Sequence, residues 1–170
     1  PLWSRGLGDV YKRQVRSYLR SRGFDSETVE QFRIGYAPDE WDALASHLGV
    51  ATEKLEAAGL GRPGQRGGAI DFFRDRVMFP VCDANGAVVG FGGRMLPDGQ
   101  QPKYKNTPQT RLYDKSKVLY GLHWAKKQIV QADEIIVCEG YTDVIGCFRA
   151  GLDRPVSTCG PARNDAHLKT

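Results

Sequence analysis

Glu134-Ile135-Ile136-Val137-Cys138-Glu139-Gly140-Tyr141-Thr142-Asp143-Val144-Ile145-Gly146-Cys147-Phe148-Arg149-Ala150-Gly151 is the stretch whose reading decides the fold. Ile135 to Cys138 form a short continuous apolar run, which predicts a strand buried on both faces of a parallel sheet. A glycine turn follows, and Val144, Ile145 and Phe148 then fall at helical spacing until Gly151 offers a C-terminal cap. Glu139 therefore stands at the carboxyl end of the strand and Asp143 at the start of the helix. Open α/β sheets place their ligands at that edge. Two acceptor-only side chains so close in sequence suit a hard divalent cation such as Mg²⁺, which takes few carboxylates and keeps its waters. The pattern equally fits a helix-favouring Asp143 beside a solvated Glu139, and spacing alone leaves both readings open.

Composition sets the outer limits. A chain of 170 residues holds one ordinary domain with a real core, or one domain and a fragment of another. Its 41% hydrophobic and 10% aromatic content predicts a soluble globular protein. No apolar run reaches membrane-spanning length, and no charged-then-apolar leader is expected at the N-terminus. The net charge of +4 leans toward anionic partners. The cysteines, Cys82, Cys138, Cys147 and Cys159, form no C-x-x-C pair and have no His at ligand spacing. Neither a zinc site nor a disulfide framework is expected, and Cys138 reads as a small buried hydrophobe rather than a reactive thiol.

Upstream of the central stretch the periodicities change often. Pro1 to Gln14 show none and are read as a foreign segment outside the fold. Val15 to Arg22 predicts a basic helix ending at Gly23, and Asp25 or Ser26 caps a second in which Val29 and Phe32 face the core. Arg33 to Ala37 is extended, and Pro38 stops it. Asp39 is expected to cap a helix with Trp41, Leu44 and Leu48 on one face, and Thr52 to Ala58 to form another, closed by Gly59. The glycine- and arginine-bearing segment from Gly59 to Gly68 predicts a mobile basic loop, as suited to a linker as to a nucleic-acid contact. Val77–Val81 and Ala87–Phe91 read as two strands joined around Asn85-Gly86. Gly92-Gly93 lets backbone approach a neighbour closely, Pro97-Asp98-Gly99 is a turn, and Gln100 to Thr110 an ordered but irregular loop. Leu122, Ala125 and Ile129 predict a helix before the central strand, and Pro155 to Ser157 the strand after it.

Arg74, Arg76, Arg94, Lys103, Lys105 and Lys115 recur in or beside strands and turns. Arginine's planar fork matches phosphate oxygens, and lysine supplies a point charge. Tyr104 beside Lys103 adds a ring on which a base can stack. The same residues are compatible with a merely solvated basic face.

Six segments in order carry a resemblance to the central polymerase domain of bacterial replicative DNA primases. They are Phe32-Arg33-Ile34-Gly35-Tyr36-Ala37-Pro38, Phe73-Arg74-Asp75-Arg76-Val77-Met78-Phe79-Pro80-Val81, Gly90-Phe91-Gly92-Gly93-Arg94, Pro102-Lys103-Tyr104-Lys105-Asn106-Thr107-Pro108, Leu119-Tyr120-Gly121-Leu122 and Glu139-Gly140-Tyr141-Thr142-Asp143-Val144. The resemblance implies an α+β basic subdomain over residues 15–115, followed by an incomplete α/β Toprim subdomain, a parallel sheet, over 116–170. Residues 1–14 and the last ten or so fall outside the resemblance. The implied activity is synthesis of short RNA primers on single-stranded DNA by metal-dependent nucleotidyl transfer. Carried over residue by residue, Glu139 becomes the catalytic acid and a metal ligand, and Asp143 its supporting carboxylate. Arg22, Arg74, Arg76, Arg94, Lys103, Tyr104 and Lys115 belong to the groove for template and incoming nucleotide. The implied cofactor is Mg²⁺ or Mn²⁺, with no zinc in this piece because the family's upstream zinc module is absent. Implied partners are the template strand, ribonucleoside triphosphates and a replicative helicase reached through other parts of the parent protein, in the bacterial cytoplasm at the nucleoid. Thr142 stands where a methionine is usual, and the sequence departs from the family after Gly160. The family's Asp-x-Asp motif is expected past Thr170, and Asp165 is not assigned its role. The alternatives are a non-catalytic fragment that binds single-stranded nucleic acid, and a Toprim protein of another class such as a topoisomerase or nuclease.

Overall fold

The computed structural model describes residues 9–65, 67–97, 99 and 101–159. The expected foreign segment up to residue 8, Arg66, Asp98 of the expected turn, and the divergent C-terminus with Asp165 lie outside them.

The first helix, α1 (Asp9–Ser21), starts before the expected Val15 and reaches into the stretch read as foreign. Gly6 and Gly8, which suggested irregular chain, precede it, and neither glycine nor proline interrupts Asp9 to Ser21. Val15 and Leu19 lie on its buried face. In α2 (Ser26–Gln31) the Thr28 N–H donates to Asp25 Oδ1 at 2.8 Å, the expected N-cap. Phe32 then enters the core.

The main sheet contains β1 (Gly35–Ala37), β4 (Arg76–Cys82), β5 (Val88–Met95) and β6 (Tyr104–Asn106) in the order β1-β4-β5-β6, all antiparallel. The Asn85-Gly86 hairpin forms as expected, with Gly86 at φ 86° and Asp83 Oδ1 accepting the N–H groups of Asn85 and Ala87. The segment expected to be an irregular loop, Gln100 to Thr110, instead supplies edge strand β6, since Gly92, Gly93 and Arg94 leave ladder groups for it to pair.

Two further expectations are corrected between β1 and β4. Helix α3 (Ala43–Leu48) begins after Trp41, and Trp41 is 61% exposed rather than packed inward. Its first turn is capped from a distance: buried Asp71 accepts the N–H groups of Leu44 and Ala45 at 2.6 and 3.0 Å. Local sequence carries no sign of a cap from 26 residues away. The expected loop from Gly59 to Gly68 follows α4 (Thr52–Ala57) and contains β2 (Gly61–Pro63), paired antiparallel with β3 (Ala69–Asp71). Glycines that read as linker make the tight hairpin between these strands, where the Gly64 N–H donates to the Gly68 carbonyl.

The second sheet contains β7 (Leu119–Tyr120), β8 (Ile136–Cys138) and β9 (Pro155–Thr158) in the order β7-β9-β8. Helix α5 (Leu122–Ala132) precedes β8, and α6 (Tyr141–Arg149) crosses from β8 to its parallel neighbour β9. The β-α-β unit is thus as expected, with antiparallel β7 added. The burial of its first strand is not. β8 stands at the end of the strand order, Ile135 is 45% and Val137 58% exposed, and Cys138 is only partly buried. A run of apolar residues reports affinity for a core, whereas burial depends on which neighbours arrive on each side.

The two sheets share one core in which Val77, Phe79 and Val81 of β4 meet Tyr141, Val144 and Ile145 of α6. Tyr141 stacks on Phe79 at 5.7 Å between ring centroids and meets Tyr120 edge-on at 4.7 Å. Gly92 makes the approach possible, because a Cβ there would fall into the Tyr141 ring, and Gly93 does the same for Phe73 and Arg76.

Candidate nucleic-acid interface and acidic pair

Arg94 comes from the third strand of the main sheet and is only 7% exposed. Its Nη1 donates to Tyr104 Oη at 2.7 Å, and its Cζ lies 5.3 Å from the Tyr104 ring and 5.9 Å from that of Tyr18 on α1. Tyr18 also lies 5.7 Å from the guanidinium carbon of Arg22, which is exposed just past the end of α1. Helix α1 and strands β5 and β6 therefore bring Arg22, Tyr18, Arg94 and Tyr104 together, with exposed Lys103 beside them. Arg94 is the buried member that orients an exposed ring.

A second cluster forms around Lys105. Its Nζ donates to the Phe72 carbonyl at 2.6 Å and lies 3.8 Å from the Phe72 ring centroid. Burial holds its ammonium below the ordinary lysine value, and the charges of Arg76, Arg62 and Arg74 push the same way. Arg76 is buried, with Nη1 donating to the Pro102 carbonyl at 2.8 Å, and so ties the segment before Lys103 to β4. Arg74 lies over the Trp41 ring at 3.4 Å. Trp41 and Tyr18 were missed in the sequence. Trp41 fitted a helical stripe, although its flanking Asp39, Glu40 and Asp42 already argued for an exposed position. Two backbone bonds hold its loop, from Asp71 N–H to the Trp41 carbonyl at 2.7 Å and from Asp75 N–H to that of Pro38 at 3.2 Å.

Lys115 is exposed, and its N–H donates to Gln109 Oε1 at 3.4 Å.

Glu139 is exposed at the carboxyl end of β8, and no hydrogen bond or ion pair engages it among the described residues. Asp143 Oδ2 accepts the Gly140 N–H at 3.0 Å, so one carboxylate oxygen serves the start of α6 and the other remains available. Among the described residues no group of three or more His, Cys, Asp and Glu side chains could hold a metal ion. A Glu–Asp pair still fits a hard cation that completes its shell with water and phosphate oxygens. Among the described residues, no helix is long and apolar enough to cross a membrane.

A family model described as DNA primase catalytic core, N-terminal domain, matches residues 4–126. That match begins inside the stretch expected to lie outside the family. The DNA primase of Streptomyces coelicolor is 46% identical over 158 residues, covering 91% of this chain and 24% of the relative. That of Pseudomonas putida is 44% identical over 174 residues, covering 95% of this chain and 26% of the relative. Among solved structures, the RNA polymerase domain of Mycobacterium tuberculosis primase DnaG superposes with a TM-score of 0.88 at 41% identity, covering 95% of this chain and 53% of that one. A DnaG primase catalytic domain bound to single-stranded DNA superposes with a TM-score of 0.83 at 35% identity, covering 94% and 52%. The chain thus spans about a quarter of the length of these curated relatives and about half of these solved chains.

Proposed function

The chain belongs to the family of DNA primase catalytic core N-terminal domains, and from that premise we propose that it holds the single-stranded template of a primase that makes short RNA primers. The observation that carries this reading is the Arg94 guanidinium set between the rings of Tyr18 and Tyr104, with Lys103 beside them. Exposed lysines and arginines neutralise phosphates, while rings offer a face to any base, the combination that holds a single strand without reading its sequence. Lys103, Arg22, Arg74 and Lys115 are assigned to phosphates of template or incoming nucleotide. Tyr104 and Trp41 are assigned to bases. The buried Arg94 and Arg76 keep Tyr104 and the Pro102 segment in place.

The β8–α6–β9 unit is assigned as the opening of a Toprim sheet, with Glu139 as the catalytic acid and metal ligand and Asp143 as its support. Mg²⁺ or Mn²⁺ bound there would spread the charge that develops on the attacking and leaving oxygens of phosphoryl transfer. Glu139 and Asp143 would supply two carboxylates to that ion, and the Gly140 N–H bond to Asp143 Oδ2 holds Asp143 at the start of α6. Ribonucleoside triphosphates are the proposed substrates, and a replicative helicase the partner of the longer protein at the bacterial nucleoid. The relatives above are primases, which leaves the topoisomerase or nuclease alternative without support.

The test is fluorescence anisotropy of a labelled oligo(dT) titrated with the chain at several salt concentrations. Lys103→Ala should reduce the log–log salt slope by about 0.7, the value of one single-strand phosphate contact. Trp41→Ala should weaken binding by about 1–3 kcal/mol of stacking and leave the slope unchanged. Parent affinity and slope in both variants would overturn the assignment.

A further inference from the structure

The thiols of this chain divide into two kinds. Cys82 and Cys159 are buried, whereas Cys138 and Cys147 are partly exposed and face each other, with Sγ atoms 3.8 Å apart. We propose that Cys138 and Cys147 form a dithiol site that a hydroperoxide converts into an intramolecular disulfide. A disulfide requires a sulfur separation of about 2.05 Å, so the pair must close by about 1.8 Å from its present 3.8 Å, within reach of small side-chain rotations.

The chemistry balances in two steps. The thiolate of one cysteine of the pair attacks one peroxide oxygen, an S–O bond forms, the O–O bond breaks, and hydroxide or alkoxide leaves. The sulfur of the other cysteine then attacks the sulfenic sulfur. An S–S bond forms, the S–O bond breaks, and the hydroxyl departs with the second thiol's proton as water. Two thiols are oxidised, and one hydroperoxide is reduced by two electrons.

The location gives the bond a structural consequence. Cys138 ends β8 directly before Glu139, and Cys147 lies on α6, so the disulfide would close a ring containing Glu139, Gly140 and Asp143. It would tie the strand bearing one acid to the helix bearing the other. The inference stands on the sulfur geometry and does not depend on the assignment of function.

The experiment treats the intact chain with hydrogen peroxide, alkylates it, digests it without reductant and weighs the peptides. One tryptic peptide, Gln128 to Arg149, carries both cysteines. It should become about 2 Da lighter, refuse the alkylating agent until dithiothreitol is added, and lose free thiol at least tenfold faster than Cys82 or Cys159. Cys138→Ser and Cys147→Ser should abolish the 2 Da loss, the remaining thiol moving to sulfenic and higher oxides. Three results would each overturn the proposal: a wild-type peptide that gains about 32 Da of oxygen without cross-linking, one that links to Cys82, Cys159 or a second molecule, or one that stays unreacted.

Discussion

Replacing Gly92 by alanine tests how the two sheets are joined. Gly92 lies in the middle of β5, opposite Phe79 on one side and Asn106 on the other. A Cβ built there runs into the edge of the Tyr141 ring, with the ring Cζ at 2.7 Å and the hydroxyl at 2.9 Å. Tyr141 has little room to withdraw, because it is stacked on Phe79, meets Tyr120 edge-on and donates its hydroxyl to Asn106 Oδ1 at 2.9 Å. Overpacking of this kind costs about 1–3 kcal/mol, and displacing the hydroxyl adds about 1 kcal/mol for the lost hydrogen bond. Alanine recovers about 0.5–1 kcal/mol because it loses less backbone freedom on folding than glycine. The net expectation is a destabilisation of about 1–3.5 kcal/mol, or a melting temperature about 2–14 °C lower for a chain of this size.

Calorimetry and urea unfolding measure that change, with Gly146→Ala as the contrast. Gly146 lies inside α6, and its added methyl would meet nothing within 4 Å. That variant should be stabilised by about 1 kcal/mol through helix propensity alone. In a double-mutant cycle, Gly92→Ala should lose most of its cost once Tyr141 is alanine, giving a coupling of about 1–3 kcal/mol. If Gly92→Ala melts within 0.5 kcal/mol of the parent, or if the cycle is additive, Tyr141 does not press on Gly92 and the account of the junction is wrong.

Asp71→Asn should destabilise the chain by about 1–2 kcal/mol in chemical denaturation, because one amide oxygen replaces a carboxylate that accepts both Leu44 and Ala45 N–H groups. Val137→Thr should leave stability within about 0.5 kcal/mol, since its side chain is mostly exposed on edge strand β8. Glu139→Gln should lower Mn²⁺ affinity, read by electron paramagnetic resonance, by tenfold or more, on the order of one removed charge contact. Its oligo(dT) affinity should stay at the parent value.

Legibility in the sequence followed the range of the interaction involved. Asn85-Gly86 and the Asp25 cap act over two to four residues, and both were readable because their partners are adjacent. Trp41 and α3 were misread because the residue that decides where that helix begins, Asp71, arrives from another strand. The exposure of Val137 escaped for the opposite reason. An apolar strand looks the same whether both its edges are paired or only one. For the candidate site, charge and aromatic content pointed to the Lys103-Tyr104 pair, but only the fold separates the buried Arg94 and Arg76 from the exposed Lys103. An arginine in a strand carries little local sign of which face it occupies when two glycines precede it, as Gly92 and Gly93 precede Arg94.

Asn106 is where the basic strand and the acidic half are tied together, and its substitution separates the two bonds it makes. Its side-chain amide lies between the Tyr141 hydroxyl on α6 and the Cys159 carbonyl just past β9. A carbonyl only accepts, so the atom facing Cys159 must be Nδ2, which leaves Oδ1 for the Tyr141 proton. Asn106→Asp keeps an acceptor for Tyr141 but turns a carboxylate oxygen toward the Cys159 carbonyl, replacing an attraction by the repulsion of two acceptors. Asn106→Ala removes both bonds, yet leaves space that one water can enter to serve Tyr141 and Cys159 together. Each lost bond in such a setting costs about 1–3 kcal/mol, and the aspartate adds the desolvation of a charge. The expected order of stability is therefore parent, then alanine, then aspartate, with the aspartate at least about 1 kcal/mol below the alanine at neutral pH. Urea unfolding at pH 7 and again at pH 4 measures it, and acid should narrow the gap by protonating the new carboxyl, which can then donate to Cys159. An aspartate variant as stable as the alanine at pH 7 would mean that the amide does not donate across to β9, and that the two halves are held together by the aromatic packing alone.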